Sequence, residues 1–375
     1  MADYFATCAR GLEPVLAKEL AALEAQRIEP GRGGVRFAGD LAVLYRANLW
    51  LRTAVRVLQP LVEDFVPHPD ALYDLVRRVD WSEWMTFDHT LAVDCNVRDS
   101  RITHSQYAAR RVKDAICDQF RERTGLRPSV DTDQPMIGLN LHIHRDHAIL
   151  SLDSSWHSLH KRGYRPIQTR APLNEALAAG LLLHLGYDGT APLVDPMCGS
   201  GTFVVEGSWI AMDRAPGLTR KWYSFYGRRD FDVKLWSRFR EEARERSNRK
   251  PTWMPSGSDV RQDAVDFAHA NARAAGLGHL LNFEKKELRE TRPPEGCPPG
   301  LLVLNPPYGE RLGEEEELIP LYRRIGEHFG THWPGWRVAV FTSNDRLAKK
   351  INLKVLSKTP FFNGSLPCHL WEFGG

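Results

Sequence analysis

Four apolar residues, Leu301-Leu302-Val303-Leu304, run without interruption into Asn305-Pro306-Pro307-Tyr308. A continuous apolar run of this length suits a strand buried on both faces, as in a parallel sheet. The two prolines cannot donate to a neighbouring strand and force a stiff, extended exit. An amide and an aromatic ring are therefore presented rigidly at the carboxyl end of a buried strand, where ligands bind in open α/β sheets. The residues upstream fit the same frame. From residue 173 onward, strands, glycine turns and helices alternate, which predicts a doubly wound parallel sheet.

At 375 residues the chain exceeds one typical core, so two or three domains are expected. Its N-terminal part reads as a small α/β unit. A strand over residues 4–9 leads through Gly11 into a helix with Leu12, Leu16, Leu20 and Leu23 at helical spacing. A glycine turn at residues 31–34, a short strand over 35–37 and a second helix through Leu41, Leu44 and Leu51 follow. From about residue 60 the pattern resets. Residues 71–79 read as a helix, 91–97 as a strand and 105–121 as a strong helix. Residues 137–143 and 148–152 read as a hairpin, and 154–172 as a polar, basic linker.

Positive charge is concentrated. Residues 98–127 carry eight basic and four acidic groups, and residues 213–250 carry twelve and six, while the whole chain nets only +3. Two basic windows on an otherwise acidic chain are the footprint expected of a nucleic-acid binder. In the first window Arg101, Arg110, Arg111 and Lys113 are the candidate contacts. In the second, Arg214, Arg220, Lys221 and Arg228 alternate with Trp222, Tyr223, Phe225 and Tyr226. That pattern suits single-stranded nucleic acid, or alternatively an aromatic stripe packed on a sheet. The six cysteines form no CxxC pair, so neither a zinc site nor a disulfide framework is expected. No apolar stretch approaches a membrane span and the start has no basic, apolar leader, which leads to the expectation of a cytoplasmic protein.

Three further motifs carry chemistry. Asp195-Pro196-Met197-Cys198-Gly199-Ser200-Gly201-Thr202 is a strand end, a glycine turn and a helix start. It lacks the lysine of a P-loop and the spacing of the dinucleotide fingerprint. An acidic residue opening such a turn suits a ligand with its own ammonium and carboxylate, and S-adenosylmethionine has both. Cys198 lies in this turn, away from the substrate loop, so a packed cysteine is expected there, not a nucleophile. Asp259, one strand later, is placed to hold ribose hydroxyls, although Gly257-Ser258-Asp259 also makes a good helix cap. Glu287 is a third carboxylate, for the adenine edge. At residues 305–308, Asn305 Oδ1 and the Pro306 carbonyl are two acceptors suited to an exocyclic amine of a nucleobase. Tyr308 offers a ring for a flipped-out base, beside Pro307.

With these residues in hand, the chain resembles the THUMP-containing, S-adenosylmethionine-dependent guanine-N2 RNA methyltransferases. Within them it is most similar to the RlmL family of 23S rRNA enzymes in a single-methyltransferase form. Beyond the motifs above, the markers are Ala9-Arg10-Gly11-Leu12-Glu13, Ser105-Gln106-Tyr107, Val112-Lys113-Asp114-Ala115-Ile116, Arg162-Gly163-Tyr164-Arg165, Asp213-Arg214-Ala215-Pro216-Gly217-Leu218, and the continuation of the Asn305 loop to Arg311. Glu287 stands where the family more often has Asp, and Val260-Arg261 replace a more polar continuation. The resemblance implies a ferredoxin-like segment over residues 1–58 and a THUMP RNA-binding domain over 59–153. A linker over 154–172 and a Rossmann-like class I methyltransferase domain over 173–375 complete the expected α/β protein. It further implies that the Asp195 loop binds the methionine part of the cofactor, Asp259 the ribose, Glu287 the adenine end and residues 305–308 the target base, with Asn305 also counted among the cofactor contacts. No second catalytic domain, metal or membrane association is expected. The alternative targets are guanine in tRNA and, more remotely, a base in DNA; a non-catalytic RNA-binding assembly factor is the reading from another class.

Overall fold

The structure is a computed structural model that describes residues 1–165, 173–309 and 314–374. Residues 166–172 of the expected linker, with Arg170 and Pro172, lie outside the described residues, as do Glu310 and Arg311 of the Asn305 loop.

The N-terminal unit comprises β1 (Ala2–Cys8), α1 (Glu13–Ala22), β2 (Gln26–Gly31), β3 (Gly34–Gly39) and α2 (Leu41–Trp50). Glu13 ties the chain together at the start of α1, its carboxylate accepting the backbone N–H of Gly11 at 2.7 Å and of Gly33 at 2.8 Å. Asp40 caps α2 by accepting the Val43 N–H at 3.0 Å. Next come β4 (Ala54–Phe65), α3 (Pro69–Arg77), β5 (Thr90–Arg98), α4 (Ser105–Thr124), β6 (Ser129–Val130), β7 (Ile137–His144) and β8 (His147–Asp153). All eight strands form one sheet in the order β2-β3-β1-β4-β8-β7-β5-β6. β4 pairs with β1 on one side and β8 on the other, and it runs straight across residues 58–59. The two N-terminal units therefore share a sheet. Pro60 sits inside β4 where the pairing with β8 shifts register, a place where a missing donor is tolerated. α3 and α4 cover one face of the distal half, burying Leu72, Leu75, Val112 and Ile116 against Leu139, Leu141 and Leu150.

The C-terminal domain contains α5 (Glu175–His184), β9 (Leu193–Asp195), α6 (Thr202–Ala211), α7 (Val233–Arg246), β10 (Ser256–Asp259), α8 (Gln262–Ala274), β11 (Phe283–Lys285), β12 (Leu301–Leu304), α9 (Glu314–His332), β13 (Arg337–Thr342), α10 (Asp345–Ala348), β14 (Lys354–Asn363) and β15 (Leu366–Gly374). Its sheet order is β11-β10-β9-β12-β13-β15-β14. Strands β9 to β13 are parallel, and β15 enters antiparallel between β13 and β14. The chain progresses outward from β9 through β10 to β11, then returns to β12 on the other side. The topological switch point thus lies between β9 and β12, whose ends carry Asp195 and Asn305.

The two halves are joined by a continuous core. Leu12, just before α1, and Leu16 within it share a core with Leu177 and Leu181 of α5 and Phe361 of β14. Gly11 sits at the contact with φ +96°, and a Cβ there would fall 2.7 Å from the Pro360 carbonyl.

Two sequence expectations are corrected here. The described part of the 154–172 segment is not a solvated linker. Arg162 is 2% exposed and Tyr164 1% exposed, with the Arg162 guanidinium bonded to the carbonyls of Leu159 and Arg52. The aromatic run at residues 222–226 is likewise not an exposed stripe, with Trp222 and Tyr226 half-buried. Tyr223 and Phe225 are fully buried and stack at 5.0 Å, and Phe225 lies 4.9 Å from Tyr45 of α2. They fill the junction between the N-terminal unit and α7.

Candidate functional site

The glycine turn begins where β9 ends. Asp195 is 2% exposed, and its Oδ1 accepts the Met197 N–H at 3.1 Å. Burial pushes its carboxyl well above the ordinary range; the Met197 bond opposes that, and the nearby Asp259 charge adds to it. The turn then crosses to the next strand. Cys198 N–H donates to the Ser258 carbonyl at 2.9 Å, and Gly199 N–H to Asp259 Oδ2 at 2.9 Å. Gly201 opens α6 in the left-handed region at φ +80°. A Cβ there would sit 3.0 Å from the Phe283 ring and 3.1 Å from Ala268. Asn271 of α8 fixes the turn from below by donating to the Ser200 carbonyl at 2.9 Å. The Cys198 thiol is buried, and that burial raises it far above a reactive thiol, consistent with a packing role.

Asp259 ends β10 and pairs in register with Lys285, the last residue of β11, and Glu287 follows two residues beyond that strand end. Asp259 Oδ1 also accepts the Arg261 N–H at 3.0 Å. Glu287 pairs with Arg289 at 2.7 Å. Both carboxylates line a cleft of 640 Å³ with Pro196, Met197, Val260 and Leu288, which continues along α9 to Arg324 and His328. Val260 is a finding of the structure. The sequence marks it only as a departure, yet it is 55% exposed beside Asp259 and gives the cleft an apolar face. An exposed aliphatic directly after an acidic strand end is the signal that points to it.

Across the switch point, the loop over residues 305–308 is held from behind. Tyr322 of α9, fully buried, donates to the Pro307 carbonyl at 3.1 Å and lies 3.2 Å from Thr342 Oγ1. Asn344 donates to the Tyr308 carbonyl at 3.3 Å. With two carbonyls anchored, the loop cannot relax, and Asn305 Oδ1 is left buried without a hydrogen-bond partner. A buried, unpaired acceptor is expensive unless a ligand satisfies it. Tyr322, Thr342 and Asn344 carry no sequence motif of their own; only the fold reveals them.

The basic residues separate into two groups. On α4, Arg110 is exposed, Arg111 pairs with Asp70 at 2.6 Å and lies over Tyr73, and Lys113 pairs with Asp114 at 2.5 Å. Arg101, exposed, pairs with Asp146 at 3.4 Å. In the second window Lys221 is exposed and Arg214, half-buried, lies 5.6 Å from the Trp209 ring. Arg220 and Arg228 are each 8% exposed, which corrects the expectation that they contact nucleic acid. Arg220 donates to the carbonyls of Ser155, His157 and Ser158, and Arg228 to Asp230 and Gln59. Their donors are spent on holding the segment after β8 and the start of α7. Among the described residues, no group of His, Cys, Asp or Glu is arranged to hold a metal, and no helix is long and apolar enough to cross a membrane.

Comparison with known proteins agrees with this layout. Residues 162–372 match the RMKL-like methyltransferase domain family (UPF0020), residues 3–58 the RlmL ferredoxin-like domain and residues 68–153 the THUMP domain. The "Ribosomal RNA large subunit methyltransferase K/L" of Syntrophotalea carbinolica is 48% identical over 99% of this chain and 53% of its own length. The "Putative RNA methyltransferase" of Synechocystis is 41% identical over 99% of this chain and 96% of its own. This chain spans about half the length of the K/L relatives it matches. Among solved structures, a "putative methyltransferase complexed with SAH" superimposes with a TM-score of 0.91 at 30% identity, covering 100% of this chain and 98% of that one.

Proposed function

The chain belongs to the RMKL-like methyltransferase family, and from that premise we propose that it is an S-adenosylmethionine-dependent RNA methyltransferase that forms N2-methylguanosine in large-subunit ribosomal RNA. The observation that carries the reading is the unpaired Asn305 Oδ1 just past the end of β12, whose parallel neighbour β9 ends at Asp195.

The residues present fit the cofactor. Gly199 leaves the turn open, with nothing within 4 Å of where a Cβ would stand, and Asp195 is a buried carboxylate with no cationic side chain on it among the described residues. Asp195 to Thr202 would hold the methionine part, Asp259 the ribose hydroxyls, and Val260 and Glu287 the adenine. When bound, the cofactor supplies a methyl group on a sulfonium. The chain's own contribution is orientation. A guanine N2 lone pair is delocalised into the ring and nucleophilically weak. Asn305 Oδ1 and the Pro306 carbonyl accept its two hydrogens, and the stiff loop turns the lone pair toward the methyl donor. Tyr308 supplies the surface on which the flipped base stacks. The test is mass mapping of rRNA and tRNA from a deletion strain: loss of one N2-methylguanosine from 23S rRNA is expected, and loss from tRNA alone would replace the rRNA assignment.

Two further outcomes are expected. Burial holds the Asp195 carboxyl above its ordinary range, and a cationic ligand favours its ionised form. Cofactor affinity therefore rises with pH from the ordinary carboxylate range up through the raised value, and binding releases a proton. Calorimetry with S-adenosylhomocysteine in buffers of different ionisation enthalpy checks this, and Asp195→Asn removes the proton release. On the THUMP side, Arg110→Glu together with Arg111→Glu weakens RNA binding and lowers the salt slope by about 1 per lost phosphate contact. Filter binding across a salt series measures it; an unchanged slope would assign α4 a solvated face.

A further inference from the structure

Helix α6 carries the cofactor turn on its N-terminal end, and all ten of its residues are buried. Three arginines from outside the domain's sheet hold it along its length. At the C-terminal end, Arg52, which follows α2, donates to the Trp209 and Arg214 carbonyls at 3.2 and 3.0 Å. In the middle, Arg162 lies 3.6 Å from Glu206, whose Oε1 also accepts the Tyr164 hydroxyl at 2.9 Å. At the N-terminal end, Arg165 donates to Thr202 Oγ1 and to the Leu173 carbonyl, and its Nε lies 3.4 Å from Glu175.

The third contact is the unusual one. A cation at a helix C-terminus complements the macrodipole, whereas one at the N-terminus opposes it. Glu175, its side chain as buried as that of Arg165, offsets this charge at 3.4 Å, which leaves the Arg165 bonds to Thr202 Oγ1 and the Leu173 carbonyl to hold the helix start in place. We propose that Arg165 is a positioning residue for the carboxylate end of the bound cofactor: its bond to Thr202 Oγ1 fixes Thr202 and the first turn of α6 in the conformation that receives the carboxylate. This rests on the cofactor reading above.

The experiment compares two probes on the full chain by calorimetry. S-adenosylhomocysteine carries the amino-acid carboxylate, and 5′-methylthioadenosine lacks it. Arg165→Ala is expected to weaken S-adenosylhomocysteine about tenfold, the size of one lost charge-assisted hydrogen bond, while methylthioadenosine and RNA bind as in the wild type. Arg165→Lys restores part of the loss. Thr202→Val reproduces the selective loss, and combined with Arg165→Ala it adds nothing further, because both act through one bond. Equal weakening of both probes, or no weakening of either, overturns the proposal. If Arg165→Ala fails to fold, Arg165→Lys and Thr202→Val decide by the same comparison. A wild-type protein that binds neither probe refutes the cofactor reading instead, so the two failures are distinguishable.

Discussion

Replacing Asn305 by Ala is expected to lower the turnover number by about a hundred- to a thousand-fold, the scale seen when one preorganised polar group is removed from an active site. S-adenosylhomocysteine affinity should stay within error of wild type. The reasoning starts from what the loop already spends. The Pro307 and Tyr308 carbonyls are committed to Tyr322 and Asn344, so the backbone stays in place when the Asn305 side chain is truncated. What disappears is a buried acceptor without a partner on the loop itself, which lies past β12 and outside the glycine turn. Its loss is felt when the amine must be aimed, and so it appears in turnover, not in cofactor binding. Asp195→Ala gives the opposite pattern, with cofactor affinity falling first. Single-turnover assays beside calorimetry separate the two. An Asn305→Ala enzyme that loses cofactor binding but turns over normally once saturated would refute the assignment of the loop to the target base.

The parts of this molecule that were legible in the sequence are those with local signals. The run at residues 301–304 is apolar at every position, and it is the buried strand β12 between β9 and β13. The Asp195 turn was legible because Gly199 and Gly201 punctuate it, and both take positive φ. β2 was missed because it is a polar edge strand, with Arg27 at φ +48° and a shifted register against β3. Composition also misplaced the basic residues. An arginine in a polar stretch reads as solvated, but Arg162 meets Arg52, and Arg228 meets Gln59, only after the chain has folded back over more than a hundred residues. The same holds for Tyr322, which looks like one more apolar position on α9 until its hydroxyl is seen bracing the Asn305 loop.

Those long-range contacts produce the second large effect. Glu206→Leu is expected to destabilise the protein by about 3–5 kcal/mol, the cost of leaving a buried guanidinium without its partner. Glu206 is fully buried in the middle of α6, and the Arg162 side chain beside it is 1% exposed. Two Arg162 donors remain satisfied by the Leu159 and Arg52 carbonyls, so the residue stays tethered in place and its charge cannot escape to water. The Tyr164 hydroxyl loses its acceptor at the same time. If the penalty comes from the stranded charge, removing that charge relieves it. Arg162→Met with Glu206→Leu should be more stable than Glu206→Leu alone, and adding Tyr164→Phe should recover more. Additive losses would mean that Arg162 acts through its carbonyl bonds to Arg52 and not through Glu206. Denaturant unfolding of these three variants, with Arg162→Met alone beside them, measures this coupling directly. A Glu206→Leu protein within about 1 kcal/mol of wild type, the range of an exposed pair, would show that the cluster is hydrated and does not lock the N-terminal unit onto the helix behind the cofactor turn.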